Sequence, residues 1–519
     1  MQRLIQSVFV AATTLISATA FAAPVSSITQ YGVTWTFDKA YESGQFVSGD
    51  YWVVGPVNVV SVSPAPTGTR NGSSVNPKGG RQGYDDRGGA YDTSDNVSFP
   101  YSLQVNESLV SAVSKPGSGD FKNVGCMQSQ AVLTAVAAPQ PPSMLRPAYA
   151  GSEKKYLDSA NIDWSLLPKL PPPKSAPSGA DLLAMADRPR IDHLSSWTIQ
   201  HSCAQDNWYN GSGAHNCYGR EVGAFVSSAA LYVMLDTPER DELAVSMIQH
   251  GIDNYGVLKA GGNWAPNGGH HNGRKWPIVF AARLLDDCDM LKVGQDYDDT
   301  HFGEDGQTYI GTNSKALFGF DCGGQAQYFT NGCSGSGAKD CRDPAGLVDG
   351  CADYRNCCTS AYWIGEALST LLLQSKAIWG HDAFFDYVER WMSGDVSGGG
   401  TAAGAFANEM WSAHRQNLPT GNAATTVCGG GSGGSSGSGS GGTSSGGADA
   451  GTTGGSNAGG AGGSAGGGSA GKSGAAATED DSGCGCRTAP ATPAHSPWLL
   501  ALLALGAVRA RKSPRRARG

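Results

Sequence analysis

Arg220 to Asp236 reads REVGAFVSSAALYVMLD. Val222, Phe225, Val226, Ala229 and Val233 recur at the spacing of one helical face, so the stretch predicts an amphipathic helix whose apolar stripe needs a partner. The partner follows at once. Pro238 precedes ERDELAVSMIQHGID (Glu239 to Asp253), which carries Leu243, Met247, Ile248 and Ile252, and the short connection makes the two an αα-hairpin. WPIVFAARLLDDCDML (Trp276 to Leu291, with Pro277 in its first turn), AYWIGEALSTLLLQSKAIWG (Ala361 to Gly380) and DAFFDYVERWM (Asp382 to Met392) read as further helices. The first two of these are apolar around much of their circumference and should be buried. Paired helices with long loops at one end predict an all-α domain over 191–395, an α/α toroid or partial toroid.

Upstream the period changes. VTWTFD (Val33 to Asp38) and YWVVGPVNVVSVSP (Tyr51 to Pro64) alternate, turn clusters separate the runs, and VSFPYSLQV (Val97 to Val105) and SLVSAVS (Ser108 to Ser114) read as later strands. The expectation is a small β-sandwich over 24–117. APQPPSMLRP (Ala138 to Pro147) and LLPKLPPPKSAP (Leu166 to Pro177) favour extended polyproline, so 118–190 reads as a Pro-rich linker or a strap across a surface.

Downstream, Gly429 to Gly474 is nearly all Gly, Ser, Ala and Thr. Such a tract buries too little apolar surface to offset its ordering entropy, so 396–482 reads as a disordered stalk. The tail, 483–519, follows the order of DSGCGCR (Asp481 to Arg487, with Cys484 and Cys486), the apolar run PWLLALLALGAV (Pro497 to Val508) and a basic end carrying Arg509, Arg511, Lys512, Arg515, Arg516 and Arg518. The run is too short to span a bilayer of about 30 Å as a helix. The three parts in this order resemble the MYXO-CTERM sorting tail of myxobacterial surface proteins. The resemblance implies sorting to the surface, with Cys484 and Cys486 at the processing site and membrane contact through the tail. A short membrane-associated helix without processing is the plainer reading. Residues 1–23, with Arg3, an apolar stretch and Ala20-Phe21-Ala22, read as a secretory signal peptide, so export machinery is an expected partner.

The chain of 519 residues has a formal net charge of −8. Its basic residues cluster only in the tail, which argues against nucleic acid as a partner. Thirteen cysteines in an exported chain argue for disulfides. Cys322, Cys333, Cys341, Cys351, Cys357 and Cys358 crowd a Gly- and Asp-rich insertion, 321–358, and Cys203 and Cys217 bracket a short loop. Zinc is the rival reading, but a paired C-x2-C pattern is missing.

Polar and aromatic residues concentrate in loop-proximal segments, of which GGNWAPNGGHHNGRKWP (Gly261 to Pro277) is the sharpest. Glycines permit close backbone approach, His270 or His271 offers a base near neutral pH, and Arg274 with Lys275 opens a buried helix as a clamp for an anion. A Gly turn with solvated cations is the bland alternative. Glu304 and Asp305 in FGEDGQTYI offer an acid or a base, while Glu221 and Glu366 sit at helix starts, where a carboxylate often only compensates the dipole. Trp264 and Trp208 offer faces for a sugar ring, although tryptophans near helix ends are also ordinary core residues. No metal and no other cofactor is expected: His270, His271 and Asp287 lack a ligand spacing such as H-E-x-x-H.

The central segments GGHHNGRKWPIVFAARLLDD, FGEDGQTY and WGHDAFFDYVERWM resemble the helical toroids of bacterial polysaccharide lyases, the heparinase-like and alginate-lyase-like families. The resemblance implies β-elimination on an acidic polysaccharide. In that scheme Arg274 and Lys275 would neutralise the uronate, His270 or His271 would take the proton, and Tyr309 or Tyr362 would protonate the leaving oxygen. Hydrolysis would instead need paired carboxylates, with Glu304 or Asp305 nearest to hand. A non-catalytic glycan-binding surface protein is the third reading.

Overall fold

The computed structural model describes residues 23–88, 90–117, 127–193, 219–266, 269, 271–311, 314–319, 355–356, 359–396 and 399–419. The readings on 1–22, on Trp208, His270, Cys203 and Cys217, on the stalk from 420 onward, on the tail with Cys484 and Cys486, and on the six cysteines of the insertion lie outside the described residues.

The N-terminal region is β-rich. Strands β1 (Val25–Gln30), β2 (Val33–Tyr41), β5 (Val57–Ser63) and β7 (Tyr101–Leu103) form one sheet, in that spatial order. Strands β3 (Ser43–Gln45), β4 (Tyr51–Val54), β9 (Met127–Val136), β8 (Ser108–Ser114) and β6 (Ser73–Val75) form the other. All pairings are antiparallel except β4 with β9. Val33, Trp35 and Phe37 alternate inward along β2 and share a core with Val57 and Val59 of the same sheet and Leu109, Ala131 and Leu133 of the other. The buried Trp35 indole donates to Ser111 Oγ at 2.9 Å, which satisfies its N–H inside that core.

The span read as linker begins with a sheet strand. β9 runs antiparallel to β8 and parallel to β4 in the middle of the second sheet. Its signal was hidden because that sheet is buried on both faces. Leu109, Ala131 and Leu133 meet the first sheet, while Val110, Ala112 and Val132 on the opposite face join the core of the helical region. A doubly buried strand shows a continuous apolar run instead of alternation. VSFPYSLQV contributes only the short β7.

Helix α1 (Gly179–Ala186), capped by Ser178, also lies within the span read as linker, and it packs on the long helix Arg240–Lys259. The helical region then comprises α2 (Gly219–Tyr232), α3 (Arg240–Lys259), α4 (Lys275–Leu285), α5 (Val293–Asp296), α6 (Gly303–Gly306), α7 (Ile364–Leu372), α8 (Lys376–Trp379), α9 (Asp382–Ser393) and α10 (Ala405–His414), with a hairpin of β10 (Thr308–Ile310) and β11 (Ala316–Phe318). α10 falls in the span read as stalk, and Phe406 and Met410 anchor it in the core. α3 packs on α4 and α2 on α7. Both contacts need glycine: a Cβ on Gly251 would lie 2.1 Å from Pro277 O, and one on Gly365 2.1 Å from Ser227 O. Among the described residues no helix is long and apolar enough to cross a membrane.

The β-rich and helical regions are joined through Arg146, which is fully buried. Its Nε donates to Asp50 Oδ2 at 2.6 Å, in the turn before β4, and Nη1 and Nη2 donate to Asp253 of α3 at 2.9 and 2.6 Å. Its backbone is clamped as well: Arg146 N–H donates to Gln249 Oε1 and Gln249 Nε2 donates to Arg146 O, each at 2.9 Å. Removing one partner from such a network leaves buried charge uncompensated, at a cost of about 3–5 kcal/mol. Arg146→Met should therefore lower the unfolding free energy by about that amount in a urea titration; a loss below about 1 kcal/mol, the level of an exposed pair, would show that the junction does not depend on it.

Candidate active site

Residues 271–277 of the segment singled out in sequence are buried. Gly273 adopts φ +85° and passes within contact of Gly223 on α2, which carries His271, Asn272 and Arg274 into the interior, where each is at most 2 % exposed. His271 Nδ1 meets Ala265 O. Burial, followed by the charge of Arg274, pushes the ring down to about 4, so His271 is neutral at physiological pH.

The two cations expected to clamp an anion are already occupied. Arg274 Nε donates to Asp192 Oδ2 at 2.8 Å, and Arg190 Nε shares that oxygen at 3.1 Å. Burial works to raise the Asp192 carboxyl, but Arg190 and Arg274 overcome it and hold it below the usual range. Lys275 Nζ pairs with Asp305 Oδ2, and Trp379 Nε1 donates to Asp305 Oδ1 at 2.7 Å. The ammonium also sits 4.8 Å from the Phe302 ring centroid and 5.4 Å from that of Trp379. Both cations are buried, so neither is solvated.

Two further carboxyls complete the cluster. Glu304, in α6, accepts the Gly273 N–H on Oε1; Glu366 lies in the first turn of α7, whose start is fixed by the Gly365 N–H bond to Ser227 Oγ at 3.0 Å. Both are fully buried. Burial pushes Glu304 up from 4.5 to about 7, and the Gly273 N–H and Arg274 only partly oppose it. Burial, then the neighbouring Glu304, puts Glu366 well above the carboxylate range. Among the described residues, Glu304 Oε2, both Glu366 oxygens, Arg274 Nη2 and His271 Nε2 have no hydrogen-bond partner.

Burial acts on both carboxyls, and Glu304 raises Glu366 further. Arg190 and Arg274 meet at Asp192, Lys275 pairs with Asp305, and Glu304 and Glu366 are buried in the same region. The coupled pair therefore loses one proton near neutrality and keeps the other, and these steps belong to the pair.

The other candidates lie on neighbouring elements. Tyr309 sits nearly buried on β10, and Tyr362 ends the turn that precedes α7. Trp264 is fully buried and stacks on Phe302 with centroids 6.2 Å apart, so it offers no face to a sugar. Trp276, Trp363, Trp379 and Trp391 are equally buried. The sequence reading missed Asp192, which carried no motif, and passed over Glu366 as a dipole compensator. Among the described residues no group of His, Cys, Asp and Glu side chains is arranged to hold a metal ion. No protein family, curated protein or solved structure is found to match this chain.

The raised carboxyl has a stability signature. Between 4.5 and about 7 the unfolded chain has lost the Glu304 proton while the folded chain keeps it, so this stabilisation is present below 4.5 and lost as pH rises through 7. Gln carries no such term. Relative to the parent, Glu304→Gln should gain stability as pH rises across that window, by up to about 1.4 kcal/mol per pH unit. A difference that stays flat in denaturant titrations at several pH values would mean that Glu304 is ionised throughout.

Proposed function

We propose that the protein is an exported, surface-anchored carbohydrate-active enzyme whose acid–base pair is Glu304 and Glu366. One observation carries the reading: two fully buried carboxyls beside Arg274, with three oxygens unpartnered among the described residues. A folded protein rarely leaves such groups unsatisfied, and perturbed carboxyls clustered in this way mark functional sites. Glycoside hydrolysis needs one carboxyl that carries a proton to the leaving oxygen and one that acts as base or nucleophile. With both carboxyls raised, the pair can keep one proton for the leaving oxygen while its other member serves as base or nucleophile.

β-Elimination on an acidic polysaccharide is the second reading. It is favoured by the unpartnered Arg274 Nη2, which could face a uronate carboxylate, and disfavoured by the internal pairing of Arg274 and Lys275. The α/α toroid, whole or partial, belongs to the same proposal, supported by the pairing of α2 with α7 and α3 with α4. Export is supported by the leader-like residues 1–23 and by Cys288, the one cysteine among the described residues, which is disulfide-bonded.

Two experiments test these readings. On a polysaccharide panel the protein should release new reducing ends without the ultraviolet absorbance of unsaturated uronides, and Glu366→Gln and Glu304→Gln should each lower turnover by at least about a hundredfold with the fold intact. Absorbing products would establish elimination, and undiminished turnover in both variants would remove the pair from the chemistry. Truncation before Gly483 should move the protein from the membrane fraction to the medium; retention in the membrane would show that the tail is not the anchor.

A further inference from the structure

A cleft of about 610 Å³ lies where the second sheet meets the helical region, between the β6 edge with its following loop and the C-terminal half of α3. We propose that it binds an uncharged, polyhydroxylated saccharide chain; the ligand class rests on the function proposed above, the site does not. The size is that of a small-molecule site, and a junction between structural layers is a usual place for one.

The chemistry of the walls selects the ligand. Lys155 Nζ bridges Asp287 Oδ2 at 2.6 Å and Asp289 Oδ2 at 2.7 Å. Lys259 pairs with Glu153, and Arg81 holds Asp92 and Asp95 at 3.0 and 2.8 Å. These lining cations are thus paired within the protein, and with Glu107 the lining carboxylates outnumber the lining cations, which disfavours an anion. What remains is a row of donors beside acceptors, and a sugar hydroxyl, being both, can bridge an ammonium N–H and a carboxylate oxygen of one pair. Tyr101 and Tyr255, each partly exposed, add apolar ring surface for the C–H faces of a pyranose. Lys78 is exposed and has no ion-pair partner among the described residues, so it is the one lining cation available to an acidic sugar.

The cleft is preformed. Gly79 N–H donates to Ala260 O at 3.1 Å and Gly151 N–H to Pro77 O at 3.0 Å, tying three wall segments together. A Cβ on Gly79 would lie 2.3 Å from Gly262 N, so this approach needs glycine. Little ordering cost is then left to the ligand. The cleft wall is also continuous with the acid centre: Gly80 N–H donates to His193 O at 2.7 Å, and the preceding residue, Asp192, holds Arg274.

The test is calorimetric titration of the Glu366→Gln protein with cellohexaose, xylohexaose, mannohexaose and maltohexaose, and with an oligogalacturonate of similar length. At least one neutral hexaose should bind. Tyr255→Ala and Ser152→Trp, the latter placing a bulky ring at the exposed rim, should each weaken it by about tenfold or more, while Lys78→Ala should change it less than about twofold. The proposal is overturned if no neutral hexaose binds, if binding survives Ser152→Trp unchanged, or if only the oligogalacturonate binds and Lys78→Ala abolishes it. Binding at the cleft without turnover by the parent protein would sink the enzymatic reading and leave the cleft standing; turnover unaffected by Ser152→Trp would do the reverse.

Discussion

The structure depends on a charge that cannot leave the interior. Arg146 is fully buried, and its guanidinium is held by Asp50 from the β-rich region and by Asp253 from α3. Each carboxylate alone would be an expensive buried anion, and the guanidinium alone an expensive buried cation; only together are they tolerable. The triad therefore fixes the orientation of α3 against the second sheet, and that sheet must accept helices on one face while it meets its partner sheet on the other. The cleft between β6 and α3 and the position of Asn254, whose Nδ2 donates to Arg274 O at 3.0 Å, both follow from where α3 is held.

The same accounting governs the acid centre, with a different result. At Arg146 one guanidinium holds two carboxylates, and burial raises the Asp253 carboxyl against the pull of Arg146. Around Arg274, burial raises both Glu304 and Glu366, and the charge of Glu304 opposes ionisation of Glu366. A pair that shares one proton near neutrality is what acid–base chemistry requires and what a purely structural core avoids. Gly365 and Gly273 bring the two carboxyls in by letting backbone approach α2 closely from two directions. The surrounding aromatic wall, with Trp379 stacked on Phe384 at 4.6 Å, keeps the region dry and so maintains the perturbation.

Features that depend on local period were legible in the sequence. Val222, Phe225, Val226, Ala229 and Val233 are all buried along α2 and just past its end, and Val33, Trp35 and Phe37 are buried along β2, because each element has one buried face and one that is less so. β9 was not legible as a strand: burial on both faces erases alternation, and the Pro-rich stretch beside it suggested a linker. Arg274 and Lys275 could be seen at a helix start, but their partners Asp192 and Asp305 lie 82 and 30 positions away, and no local pattern announces such pairing. Glu366 occupies the first turn of its helix as expected; its environment is set by α2, through a contact spanning 138 positions, so its role was beyond local reading.

The account stands or falls on whether these carboxyls hold protons at neutral pH. Carbon-13 carboxyl shifts of glutamate-labelled protein, followed by NMR from about pH 4 to about pH 8, report this directly, with Glu304→Gln and Glu366→Gln supplying the assignments. The account predicts one resonance that titrates near 7 and is lost in Glu304→Gln, and one that titrates well above the ordinary carboxylate range and is lost in Glu366→Gln. Titration of every glutamate in the ordinary range near 4.3 would contradict it.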